Sequence, residues 1–365
     1  MARHNWYDLE VTSQAVLVRR SRWVRRGIQG IVAIGAFALI LVASGATYES
    51  VGSARDLRRY PPPGRMIDVG GYRLHLVCEG TGSPTVVMDA GLGDSWLAWG
   101  SIQPVIARST RVCSYDRAGL GYSDAGPTPR GSAQIVRELH ALLTAAQLSP
   151  PYVLVGHSFG GLNVRLFTYT YPSEVAALVL VDPSHEEQFP QWTASESDAY
   201  DGYLSEMRHQ ATRAVFGLQR LTRTSAADTN AAAASQRPLA ITLGYRHQWF
   251  QTLRDEFESF RTRSPAEVRA ARRPLDIPLY VVDGSYLPEG LRPGSTQSDA
   301  DSNRAVWHRL HRELAQTSSN GHLIVAERSS HYVQFDQPDL VVQAITDAVA
   351  TVRHSASSTS TEPRE

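Results

Sequence analysis

A chain of 365 residues is long enough for one large domain or two small ones. Its 36 basic residues are matched by 36 acidic ones, so no cationic surplus exists to neutralise phosphates and no nucleic-acid partner is expected. Two cysteines, Cys78 and Cys113, are too few for a disulfide scaffold and by themselves read as two separate buried thiols.

Residues 1–26 read as a basic tail. They lead into Gly27 to Tyr48, a run without charge that as a helix would extend about 33 Å, enough to cross a bilayer's hydrocarbon core. Arg19, Arg20, Arg22, Arg25 and Arg26 precede the run and place the tail on the cytoplasmic side, with the remainder exported; Arg55, Arg58 and Arg59 beyond it weaken that bias without cancelling it. The length of the span favours an uncleaved single-pass anchor. Ser44-Gly45-Ala46 keeps a cleaved signal peptide, and a secreted product starting near Thr47, as the alternative. Residues 49–64 then read as a linker, with a charged stretch from Val51 to Tyr60 and a stiff Pro61-Pro62-Pro63 spacer.

From Met66 the pattern is one of strands and helices. Met66–Val69, Gly70-Gly71 and Tyr72–Cys78 read as a hairpin, followed by strands at Thr85–Met88 and Arg111–Tyr115 and a helix from Ser132 to Gln147. Strand Tyr152–Val155, a helix after Gly160 and strand Ala177–Val181 come next. Residues 183–273 switch to helical, alanine-rich and charged segments. Strands resume at Pro278–Val282 and His322–Ala326, a helix covers Pro338–Val352, and the serine- and threonine-rich tail, residues 354–365, is expected to be disordered. This order predicts an α/β fold with a mostly parallel central sheet and helices on both faces. Its core is residues 65–182 and 274–353, and the 183–273 insert forms a helical lid over the carboxyl ends of the strands.

One stretch carries chemistry. In Leu154-Val155-Gly156-His157-Ser158-Phe159-Gly160-Gly161 an apolar strand ends in Gly-x-Ser-x-Gly and a helix begins, so Ser158 sits on a sharp turn where only glycines let strand and helix approach. A serine hydroxyl attacks a carbonyl only when a base takes its proton. Of the 12 histidines, His331 is best placed, after the last strand and before the final helix. His157, inside the turn, reads as a packing or locally hydrogen-bonded residue. His308 and His311 share a helix face without an accompanying carboxylate pair at metal spacing, so no metal site is read and no cofactor is expected.

Together these features resemble the α/β-hydrolase family over roughly Arg65 to Val352. The resemblance rests on GHSFGG at Gly156 to Gly161, YDRAGLGYSD at Tyr115 to Asp124, DAGLGDSW at Asp89 to Trp96, LVLVDPSH at Leu178 to His185 and SSHYVQFDQP at Ser329 to Pro338. It implies a catalytic serine and histidine at Ser158 and His331, and an oxyanion hole built from the backbone N–H groups of Phe159 and Leu92. The acid departs from the usual pattern, because the position three after Gly284 is Leu287. Asp182, after the sixth strand, is the favoured partner for His331, and Asp283 and Glu289 around the turn after the seventh strand are the alternatives. The resemblance also sets the second strand beside the fourth, which opens the way to a Cys78–Cys113 bond. Asp116 and Arg117 read as a structural ion pair. Trp192, Tyr200, Phe216, Trp249 and Phe250 either line an acyl pocket or form the lid's own core. The expected activity is that of a membrane-anchored serine hydrolase on a small-molecule ester or amide. An acyltransferase, or a non-catalytic ligand-binding or sensing protein on the same scaffold, are the other readings, and oligomeric state is not legible.

Overall fold

A computed structural model of the chain describes residues 6–284 and 297–359. The chain opens with one long helix, α1 (Trp6–Arg59), and continues through β1 (Arg65–Asp68), β2 (Arg73–Glu79), β3 (Thr85–Asp89), α2 (Gln103–Ile106), β4 (Val112–Tyr115), α3 (Ser132–Ala145), β5 (Tyr152–His157), α4 (Phe159–Thr170) and β6 (Val175–Val181). Five helices follow, α5 (Ala194–Val215), α6 (Leu218–Thr222), α7 (Arg237–Leu243), α8 (His247–Phe260) and α9 (Arg263–Ala271). The order closes with β7 (Leu279–Gly284), α10 (Gln297–Ala315), β8 (Gly321–Ala326), α11 (Val333–Asp336) and α12 (Pro338–Thr359).

The eight strands form one sheet in the order β1-β2-β4-β3-β5-β6-β7-β8. β2 is antiparallel to β1 and to β4, and every other pairing is parallel. The β1–β2 hairpin closes because Asp68 Oδ1 accepts both the Gly70 and Gly71 N–H at 2.8 Å, with both glycines at positive φ. Side chains alternate across the central strands. Val87, Leu154, Leu178 and Leu180 pack on one face with α3 and α4, while Val86, Met88, Val153, Val155 and Val179 pack on the other with α12. Covering both faces is what turns these strands into near-continuous apolar runs.

Four expectations are corrected here. Cys78 and Cys113 are register partners on β2 and β4 and form a disulfide rather than two separate thiols. Residues 49–59 are not a linker: α1 runs unbroken to Arg59, and its last turns are docked on the domain. Glu49 is 1% exposed, Leu57 packs beside Leu120, Tyr122 and Trp249, and the Tyr60 carbonyl accepts from Tyr122 Oη at 3.0 Å. The 354–365 tail begins as helix, since α12 continues to Thr359. Asp116 and Arg117 do not pair. Asp116 accepts the backbone N–H groups of Trp96 and Tyr122 and faces His75 Nδ1 at 2.7 Å, whereas Arg117 turns to Asp89 and Glu256.

Candidate active site

The elbow forms where β5 runs into α4. Ser158 has φ 52° and ψ −119°, a region a side chain enters only under constraint. Its N–H donates to Val181 O, and its carbonyl accepts from Gly161 N and Ser184 N, so three neighbouring segments hold the strain. The flanking glycines are sterically required: a Cβ at Gly156 would lie 2.6 Å from Gly160 O, and one at Gly160 would lie 2.3 Å from Asp89 O. Phe159 opens α4, where a first-turn N–H has no partner inside the helix.

Leu92 lies in the loop after β3, and that loop is built around Arg117. The Arg117 guanidinium donates to the Ala90 and Gly91 carbonyls at 2.7 and 2.6 Å, to Asp89 at 2.8 Å, and through Nε and Nη2 to both oxygens of Glu256 on α8. Glu256 also accepts the Gly93 N–H at 2.9 Å, and Trp249 Nε1 donates to the Gly93 carbonyl at 3.0 Å. The carbonyls on either side of Leu92 are therefore all claimed by donors that fix the loop's path. Glu256 carried no signal in the sequence, because a lone carboxylate on an amphipathic helix reads as a solvated face; only its complete burial marks it.

Geometry separates the candidate carboxylates. Asp182, at φ 39° after β6, accepts His331 Nδ1 at Oδ2 (2.6 Å), and at Oδ1 the Gly284 N–H (2.9 Å) and Trp307 Nε1 (2.8 Å). Burial would push the Asp182 carboxyl up, but the hydrogen bond and charge of His331, with His311 and Trp307 behind them, bring it below the ordinary aspartate value. Asp283 is turned away from His331. Its oxygens face His311 Nδ1 at 2.7 Å and His308 Nδ1 at 2.5 Å. Glu289 lies outside the described residues.

His331 is tied to His157, the residue before Ser158. His157 Nε2 donates to the His331 carbonyl at 2.9 Å and the two rings lie 4.7 Å apart. Burial, then the proximity of His331, lowers His157 to about 3, so it stays neutral and serves as a positioning group. No hydrogen bond joins the His331 ring to Ser158 Oγ among the described residues, a looseness common before substrate binds.

Asp182, Asp283 and His311 bring their ligand atoms within 4.8 Å of one another, a grouping that the sequence spacing did not reveal. It does not have the character of a metal site. His311 Nε2 faces the Pro183 carbonyl at 2.8 Å while Nδ1 faces Asp283, so both ring nitrogens must donate and neither has a lone pair to offer.

The lid aromatics divide. Trp249 packs against Leu120 and Tyr122 of the core and Phe250 against Ala211 and Ala214 within the lid, whereas Trp192 and Tyr200 join a chain of ring contacts through Phe189 and Phe260 to Phe159. Phe216 sits where the lid meets α1.

Known proteins share this fold. Residues 84–338 match the profile of the alpha/beta hydrolase fold. An uncharacterised Bacillus subtilis protein, YqjL, is 24% identical over 269 residues, covering 74% of this chain and 85% of that one. The enol-lactonase of Burkholderia xenovorans LB400 superposes with a TM-score of 0.55 at 18% identity, covering 78% of this chain and all of its own. An esterase from Exiguobacterium antarcticum gives 0.57 at 15% identity, covering 79% of this chain and 99% of its own. At such identities the structures speak for the fold alone. With the profile spanning well over half of its length, the chain belongs to the α/β-hydrolase fold family.

Proposed function

We propose that this protein is a membrane-anchored serine hydrolase that cleaves a carboxylic ester through an acyl-enzyme. The observation that carries the proposal is the 2.6 Å contact of Asp182 Oδ2 with His331 Nδ1 next to the strained Ser158 elbow. In this reading Ser158 Oγ bonds to the carbonyl carbon as its proton passes to His331 Nε2, and the Phe159 and Leu92 N–H groups receive the charge on oxygen. The tetrahedral species expels the alcohol, which takes the proton from His331. Water then repeats the sequence in reverse roles and releases the acid.

Asp182 holds the imidazole in the tautomer that leaves Nε2 free to accept, and it stabilises the imidazolium that forms. The structural neighbours cited above are named as an enol-lactonase and an esterase, which supports an ester over an amide here. Membrane attachment is supported by α1, whose Trp23–Arg59 portion is long and apolar enough to cross a bilayer, with the side chains of Ile28, Ile34 and Leu39 exposed. Export of the domain is supported by the basic residues before the span.

The test is turnover of a p-nitrophenyl ester series by the full-length chain in vesicles, against Ser158→Ala. Activity that falls by several orders of magnitude with unchanged folding fits the proposal, since triad members act as a unit. Undiminished turnover by Ser158→Ala would end it.

A further inference from the structure

Helix α6 of the lid is held at the end of the apolar span. A Cβ at Gly45 would lie 2.4 Å from Phe216 O, and one at Gly217 (φ 69°) would lie 2.9 Å from Tyr48 Cδ1, so the two segments touch almost backbone to backbone. Arg220 locks this contact. Its Nε donates to Glu49 Oε2 at 2.9 Å and Nη2 to Ser53 Oγ at 3.2 Å, and Nη1 pairs with Asp56. Glu49 also accepts the N–H of His247, the first residue of α8, at 3.1 Å. A buried carboxylate satisfied in this way fixes the relative height of lid and span.

That height has a consequence. Gly45 and Tyr48 both belong to the uncharged run that ends at Tyr48, and they are separated by about 4.5 Å of helix rise. The start of α6 is therefore level with the last turn of the span. Beyond α1, the described large apolar side chains that stand exposed are Tyr203, Leu218, Leu221 and Val325. Two of the four lie on the five residues of α6, three positions apart and hence on one face. An exposed tyrosine at position 48 of the span suits the same headgroup depth.

We propose that α6 is an interfacial element and that its partner is the surface of the membrane crossed by α1, with Leu218 and Leu221 entering the headgroup zone. This rests on the reading of α1 as a membrane span. The lid then lies on the bilayer, and an acyl substrate resident in that bilayer is the class it meets first.

The test uses the full-length chain in phosphatidylcholine and phosphatidylglycerol vesicles, with single cysteines at Leu221, Ile34 and Thr346 carrying an NBD fluorophore. Spin-labelled lipids, with the nitroxide on either the headgroup or the acyl chain, act as quenchers. Leu221 is expected to lose emission to the headgroup label, Ile34 to the acyl-chain label, and the exposed α12 position Thr346 to neither. In an Arg220→Ala background the Leu221 quenching should weaken while that of Ile34 persists. Quenching at Ile34 without quenching at Leu221 overturns the interfacial role and leaves the span intact. Absence of quenching at Ile34 removes the span reading and this inference together.

Discussion

His331 turns Nδ1 onto Asp182 Oδ2 at 2.6 Å, and this one contact separates two carboxylates that the sequence left in competition. Asp283 is equally buried but spends its oxygens on His311 and His308. Asp182→Asn should therefore lower turnover by about four orders of magnitude with little change in folding, as a wrong-tautomer histidine does. Asp283→Asn should keep the catalytic tautomer and lose far less. Steady-state kinetics on both variants decides it, and the reverse ranking would put the acid after the seventh strand.

His311 is the cation between those carboxylates. Burial opposes its charge, but the hydrogen bond to Asp283 and the charges of Asp182 and Asp283 outweigh burial and raise it above the usual histidine value. Removing it leaves two anions facing each other in a dry site. His311→Gln should cost about 3–5 kcal/mol in urea unfolding, and adding Asp283→Asn should recover most of that loss. A double variant as unstable as the sum of the singles would show that charge pairing is not what holds this cluster.

The disulfide ties stability to compartment. Cys78 and Cys113 are 35 residues apart, and loop-closure entropy for that separation predicts a loss of about 4 kcal/mol when both become serine. Non-reducing peptide mapping of protein from intact membranes should recover the two cysteines linked, as an oxidising, extracytoplasmic location requires. Both thiols free in such material, together with protection of the domain from externally added protease, would contradict export.

Acid stability follows from two buried neutral histidines. Burial lowers His157 and His185 to about 3, with His331 adding to the effect on the first and Arg165 on the second. An unfolded histidine titrates near 6.5, so between that pH and about 3 the unfolded state binds protons that the native state refuses. Their contribution is complete above that range and is lost as pH falls through it. Urea midpoints should decline across this window, and less steeply in His157→Gln. An unchanged slope would mean that His157 is not held neutral.

Legibility tracked the range of the interactions. Gly156, Ser158 and Gly160 announced the elbow because the turn is local and its steric demands act on adjacent residues. The mostly parallel sheet followed from alternation of strand and helix, whereas the place of the second strand beside the fourth came only from the family resemblance. The acid was open because Asp182 and Asp283 stand at the ends of β6 and β7, which only tertiary structure orders relative to His331. The docked end of α1 was misread as a linker because most of its docked face, Glu49, Gly52, Ser53 and Asp56 beside Leu57, has helical spacing but is polar or small. Its apolarity gave no cue, and its partner Arg220 lies far along the chain. Glu256 went unread, and His311 was read only as sharing a helix face with His308, for the same reason, since each is made significant by a partner from another element.

The most direct test of the central assignment is labelling of the full-length protein with a fluorophosphonate probe, followed by mass spectrometry of the modified peptide. The account predicts stoichiometric modification of Ser158, and its near-abolition in His331→Ala, because the hydroxyl is nucleophilic only when that imidazole takes its proton. Modification at a different serine, or none in protein shown to be folded, would contradict it.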